Sequence, residues 1–388
     1  MQAFSPAAAR ALAAPFPDDR AAAAARAGAL DWPTTAEEIW RYSRIEELDM
    51  GRFTPAATST TVTGAEDWQV DPAVLTGVPS VIDGDAPDVF AELNVAFGSA
   101  IVLRVPRGRH ALDPVVVTHT VAGDGVAVFP RLLIDAEENS ELTVVERFVS
   151  TGGEGVGLVV PVVQVRAGAA ARVRYLGVNE LTEKDWLIGH QQAVGDRDST
   201  VMLSTVALGG HYARVRTEAR VSGSGASTRQ IALYFAGGEQ MHDFRTIQDH
   251  DAPHTTSDLL FKGAVQDDSR SVYTGLIKIR KHARGTAAFQ TNRNLTLGAG
   301  AWAESVPNLE IETNDVRCSH ASTVGPIDPE HRFYLESRGI RTQIAERLIV
   351  LGFFDEVLEQ LPVPELAADL RRRVSDKLDL DRTLTGVA

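Results

Sequence analysis

Two short stretches of this sequence bring together side chains able to do metal or nucleophilic chemistry. In the first, the imidazoles of His242, His250 and His254 lie among the carboxylates of Asp243, Asp249 and Asp251. Neutral imidazole and carboxylate are donors that Zn and Fe accept, so one reading is a metal-dependent enzyme centred on His242, His250 and His254. The spacing matches no compact metal motif, and polar residues of a repeating β fold also stack in ladders or cover turns. A structural role therefore stands beside the metal reading. The second stretch holds Cys318 and His320, two residues apart. On a strand, residues i and i+2 share a face, so thiol and imidazole can meet one object. No oxyanion element or nucleophile elbow accompanies them, and the alternative is a half-buried thiol acting as a small hydrophobe.

Other chemistries have weaker support. Glu310 and Glu312 share a strand face and could serve a sugar-active solenoid. Only 6% of the chain is aromatic, and Trp32, Trp40, Trp68, Trp186 and Trp302 are too scattered to form a sugar platform. Gly152-Gly153 and Gly209-Gly210 are isolated, and no phosphate-cradling G-x-x-x-x-G-K-[ST] occurs, so ATP hydrolysis by this chain is not expected. The lone cysteine, Cys318, excludes an intrachain disulfide and any Cys-rich zinc or iron–sulfur site held within the chain, and it fits a reducing cytoplasm. With 38 Lys+Arg against 52 Asp+Glu, the formal charge of −14 argues against nucleic-acid binding. The longest apolar run, Leu348 to Phe354, is far below the ~18 residues of a membrane span. The Ala-rich N-terminus lacks a basic leader, so no secretory signal is expected.

The elements that must position these residues follow from periodicity. Residues 1–50 read as helical: Ala7–Ala14 and Arg20–Leu30 are strong helix formers, and Pro33 with Glu37 and Glu38 resembles a helix start. Residues 51–99 read as a connector or irregular cap, aperiodic from Pro55 to Asp88. From about Ala100, alternating runs bounded by Gly, Asp, Asn or Ser read as strands: Ile101–Val105, Pro114–Val121, Leu142–Val149, Leu158–Val165 and Ala171–Val178. Turns at Ser140, Ala170, Ser199 and Ala226 open such runs at steps of 30, 29 and 27, and the series continues at Thr256 and Thr286. A second series, at Arg270-Ser271-Val272 and Ala301-Trp302-Ala303, lies about half a period away. Two strands per near-constant step predict a parallel β-helix over residues 100–325, each coil burying a face against the next. Residues 326–388 return to helix. Ile344, Leu348, Leu351, Leu358 and Leu361 make one stripe, and Leu366, Leu370, Val374 and Leu378 a second.

A resemblance is carried by ordered motifs between residues 240 and 360. Beyond the His/Asp stretch these are Phe261-Lys262-Gly263, Tyr273-Thr274-Gly275, Gln290-Thr291-Asn292-Arg293-Asn294 and Pro307-Asn308-Leu309-Glu310. Arg317-Cys318-Ser319-His320 and Phe333-Tyr334-Leu335-Glu336-Ser337-Arg338-Gly339 follow. In this order they resemble the SufB/SufD family of iron–sulfur cluster assembly proteins, and most closely its SufD branch. The resemblance implies a mainly β fold, a right-handed parallel β-helix flanked by N- and C-terminal helices. It implies a non-catalytic cytoplasmic scaffold that pairs with a SufB-like paralogue and binds SufC, an ABC-type ATPase, on its helical C-terminal side. A transient iron–sulfur cluster would be built at the SufB–SufD interface. The family's Cys-x-His segment falls on Cys318 and His320, and the partner-binding surface includes Phe333, Tyr334 and Arg338. The extra cysteines typical of SufB-like members are missing here, which favours SufD. Ala321 departs from the Gly of many relatives, a difference of one methyl. One thiolate and one imidazole do not complete the four protein ligands a cluster normally takes, so such a site needs a second chain. A purely structural partner of SufB, in which neither residue is a ligand, is the competing interaction reading. Self-pairing of the isolated chain is the remaining expectation.

Overall fold

The computed structural model describes residues 2–74, 80–82, 86–151, 153 and 155–384. From Ser99 onward, the chain passes back and forth between two sheets, Val126–Val128 with Pro130–Ala136 and Gly157–Val159 with Val162–Ala167 being consecutive segments of one sheet, and successive strands of the main path in each sheet pair in parallel. The first wall ends in Tyr212–Val221, Met241–His250, Arg270–Ile279 and Trp302–Ile311. The second ends in Ser227–Ala236, Thr256–Gln266, Thr286–Leu297 and Val316–Gly325. The chain crosses from wall to wall and returns one rung further on, which is the expected β-solenoid. Ser140, Ala170, Ser199, Ala226, Thr256 and Thr286 all lie at the opening of second-wall strands, whereas Arg270-Ser271-Val272 and Trp302 lie on the first wall. That is why the two series are offset by half a period. Leu158–Val165 is two strands, Gly157–Val159 and Val162–Ala167, with Pro161, which has no N–H to give the ladder, between them.

One corner shows how local sequence sets the coil. Asn139, Ala170, Asp198, Gly225, His254 and Gly285 take φ values of 56, 56, 56, 77, 58 and 70°. Each donates its backbone N–H to the corner of the next coil, from Asn139 to the Ala169 carbonyl through His254 to Arg284 and Gly285 to Asp315. Left-handed backbone is costly for non-Gly residues, so the four non-Gly members are held there by this stacked ladder. The interior also changes along the axis. Leu132, Ile134, Val163, Val173 and Leu203 fill early coils. Gln230, Thr246, Gln248, His250, Gln290 and Asn292 are buried in late ones.

The N-terminal region is helical as expected in its first part and departs from expectation at the helix start read at Pro33 and Glu37. Helices span Pro6–Arg10 and Pro17–Ala29, but the start at Glu37 yields one 3-10 turn, Glu38–Trp40. The carbonyls a longer helix would need are taken: Arg214 Nη2 donates to Ile39 O at 2.7 Å and Arg245 Nη2 to Arg41 O at 2.6 Å. Tyr42 then turns left-handed, with φ 66°. Part of the Pro55–Asp88 segment lies outside the described residues. The rest of residues 51–99 is more regular than expected, with the strand Ser59–Thr63 antiparallel to Val115–Val121 and the helix Val89–Phe97. The Asp88 carboxylate caps that helix through the Ala91 N–H at 3.0 Å.

The C-terminal helices Thr342–Leu358 and Ala367–Leu384 cover the outer face of the second wall. Leu351, Phe354, Leu358, Leu370 and Val374 pack on Ile231, Leu233 and Phe235. Each such side chain stabilises the fold by about 1.5–3 kcal/mol when fully buried. Lys262 Nζ and Lys377 Nζ fasten the helices by donating to Phe353 O and Leu208 O, both at 2.8 Å. The first apolar stripe splits, however: Leu351, Leu358 and Leu361 are buried, while Ile344 and Leu348 face out, 41% and 46% exposed.

Candidate functional site

The strand Met241–His250 separates the residues of the first candidate. Successive side chains of a strand point to opposite faces, so His242 and His250 enter the solenoid while Asp243 and Asp249 lie on the outer face of the wall. His242 Nε2 meets Gly209 O at 3.2 Å, and His250 is held between Thr255 Oγ1 at 2.7 Å and Ser257 Oγ at 2.8 Å. Burial pushes their pKa values down to about 3 and about 4, with the Lys377 charge adding to the effect at His242. Both rings are therefore neutral core groups at pH 7. His254 is the exposed corner residue already described, its ring packed over Gly285, where a Cβ would stand 2.6 Å from Nδ1.

The three carboxylates have other partners. Asp243 accepts from Tyr212 at 2.7 Å, Arg214 at 2.6 Å and Arg245 at 2.7 Å. Burial alone would raise its pKa, but the two guanidiniums outweigh that and hold it below the usual aspartate range. Asp249 is bound by Arg220 and Arg280, and Asp251 lies 2.9 Å from His282 Nε2. Among the described residues, no group of three or more His, Cys, Asp or Glu is arranged to hold a metal ion. Glu310 and Glu312 are likewise engaged, by Lys278 Nζ at 2.8 Å and the Lys281 N–H at 3.1 Å.

The second candidate sits where the solenoid ends. Among the described residues, the closing strands Trp302–Ile311 and Val316–Gly325 carry no further coil, and Leu309, Ile311 and Val324 are 42%, 41% and 42% exposed. Cys318 and His320 pair with Ala288 and Gln290, both buried inward residues. Their side chains therefore belong to the inward face, with no further rung among the described residues to cover them. Cys318 packs partly against Ile277, Ile279, Ala283 and Ala288, and burial raises its thiol pKa. His320 is exposed. Across the mouth, Ser322 Oγ donates to Ser305 Oγ at 2.6 Å.

The two open edges differ in their backbone. On Trp302–Ile311, the N–H groups of Trp302 and, just past the strand, Glu312 donate back to Ser269 O at 3.1 Å and Ile279 O at 2.9 Å. Alternation turns the N–H groups of residues 303, 305, 309 and 311 to the free side, where Pro307 has none to offer. On the second wall, Arg172, Thr200, Ser227, Thr256 and Ala287 each donate back to the preceding strand. Arg317 is their next rung, so Cys318, His320, Ser322 and Val324 direct their N–H groups to a free edge uninterrupted by proline.

A further exposed surface lies on the helix Pro329–Glu336 and the chain just past it. Phe333 and Tyr334 are 69% and 56% exposed, and the Arg338 guanidinium lies 3.6 Å from the Tyr334 ring centroid. The open edges and the late-coil network of Gln290 and Tyr273 escaped sequence reasoning. Pro307 in an alternating strand was the available signal for an edge.

The class defined by this fold is a β-solenoid flanked by helices, with one thiol and one imidazole on the inward face of its last rung. A family model described as the SufBD core domain of SUF-system FeS cluster assembly matches residues 119–353. An iron–sulfur cluster assembly SufBD family protein of Mycobacterium tuberculosis is 33% identical over 366 residues, 91% of each chain. A SufBD family protein of Mycobacterium leprae is 31% identical, covering 92% of each chain. The iron–sulfur cluster assembly protein SufD of Escherichia coli is 29% identical, covering 84% of this chain and 78% of its own. The chain belongs to the SufBD family of the SUF system and takes that family's general role as a scaffold in iron–sulfur cluster assembly. Among the described residues, no helix is long and apolar enough to cross a membrane.

Proposed function

We propose that this chain is the SufD-like half of a cytoplasmic assembly complex. Its open solenoid end docks a SufB-like paralogue, and the nascent cluster is held at that junction as cargo. The uncapped end supports this reading, because Cys318 and His320 lie there on an inward face left open among the described residues. One thiol and one imidazole supply about half of the four protein ligands a cluster takes, and the partner supplies the rest. The exposed Phe333 and Tyr334, with Arg338 beside them and Ile344 and Leu348 on the following helix, form the docking face for a SufC-like ATPase. A second copy of this chain offers the same edge, so the isolated protein pairs with itself when the paralogue is missing.

The test is anaerobic co-purification of the chain with its SufB-like and SufC-like partners, scored for iron and acid-labile sulfide. His320→Ala and Cys318→Ser should leave the complex intact. His320→Ala should lower retained iron and sulfide by about 10-fold or more, at least the loss seen on disturbing a ligand's outer shell. Wild-type iron and sulfide in both variants would refute the shared-ligand assignment. Loss of the complex itself in the double variant would instead support the purely structural reading.

A further inference from the structure

Tyr273, Gly275 and Gln290 have no role so far, although all three fall in the motifs that carry the resemblance described above. Gln290 is the rung directly behind His320, with its side chain on the same inward face. It is buried, and its Nε2 donates to the Tyr273 hydroxyl at 2.6 Å, which in turn lies 2.9 Å from Thr246 Oγ1. Gly275 makes the room for this contact: a Cβ there would stand 2.1 Å from Gln290 Nε2 and 2.3 Å from the Tyr273 hydroxyl. The amide is thus oriented by a built network. Its other end, Oε1, is buried and accepts no hydrogen bond. A buried carbonyl oxygen left this way costs about 1–3 kcal/mol, so the site calls for a donor. An imidazole that binds metal through one nitrogen characteristically donates its other N–H to such an acceptor, which fixes the tautomer and the ring plane.

We propose that Gln290 is the positioning residue for His320. Its Oε1 accepts one ring N–H, so that the unprotonated nitrogen of the neutral imidazole faces the partner side of the open end, toward ferrous iron or an iron of the growing cluster. The inference rests on the ligand role given to His320 above, but its first test does not. In the isolated chain labelled with 15N-histidine, the imidazole nitrogen shifts of His320 should report one dominant tautomer. Gln290→Met, which keeps the volume and removes the acceptor, should bring a second tautomer to comparable population. Tyr273→Phe, which keeps Gln290 but frees its amide to turn, should move the shifts the same way and serves if the methionine variant fails to fold. An unchanged tautomer in either folded variant overturns the proposal. In the complex with the SufB-like partner, where His320→Ala lowers ferrous iron affinity, Gln290→Met should weaken it by about 10-fold or more, and unaltered affinity in Gln290→Met beside a weakened His320→Ala would also overturn it. If His320→Ala binds iron as tightly as wild type while Gln290→Met still shifts the tautomer, the ligand reading fails and the positioning contact stands.

Discussion

Asp243→Ala should lower the unfolding free energy by about 3–5 kcal/mol, the cost of removing one partner from a buried ion pair. Asp243 is fully buried and is the shared acceptor for Tyr212, Arg214 and Arg245. Without it, two guanidiniums, 2% and 5% exposed, face each other with no anion between them. The damage would spread, because the same guanidiniums hold Ile39 and Arg41, and Arg214 lies 3.9 Å from the centroid of the Trp40 ring. The N-terminal cover of the first wall would loosen together with the late coils. Urea unfolding followed by tryptophan fluorescence checks this, since Trp40 sits at the centre of the contact. Glu310→Ala, which removes an exposed partner of Lys278, should leave the midpoint unchanged. Equal midpoints for the two variants would contradict the network's role.

Ser322→Pro should abolish co-purification with the SufB-like partner while the chain itself still folds. Ser322 lies in the last strand of the second wall, and its N–H faces the free edge, so a proline there removes no bond from the solenoid's own ladder. Pro307 already occupies a corresponding inward position on the other closing strand. An added partner strand, in contrast, would lose its central donor and meet the pyrrolidine ring. Ser322→Ala controls for the hydroxyl that donates to Ser305 and should assemble normally. If the proline variant assembles as well as the alanine variant, main-chain pairing at this edge is not how the partner binds.

What could be read from the sequence divides along physical lines. The solenoid was legible because its period is imposed by every coil, so turn residues from Ser140 to Thr286 repeat whatever their neighbours do. The helix Val89–Phe97 was not, because eight of its nine residues are buried and no polar face reveals a period. The stripe holding Ile344 and Leu348 was visible, but an apolar face looks the same whether it covers a wall or awaits a partner. The imidazoles and carboxylates of residues 242–254 were visible as residue types. Their separation depended on a strand, whose alternation sends His242 and Asp243 to opposite faces. Cys318 and His320 were legible as a pair on one face, and the lone cysteine already implied an incomplete site. Gln290 was out of reach, because 30 residues separate it from His320 and only the register of two stacked strands brings them together.

The lone cysteine also gives the most direct test of the central claim, that the partner covers the open end. Cys318 is half-buried there and is the one thiol of the chain, so its alkylation by a maleimide, followed by mass spectrometry of its own peptide, reports on that surface alone. In complex with the SufB-like paralogue, alkylation of Cys318 should be slower than in the monomeric chain by about 10-fold or more, since thiol reactivity requires access. An equal rate in the monomeric and the complexed chain would place the partner elsewhere and leave Cys318 and His320 outside any shared site.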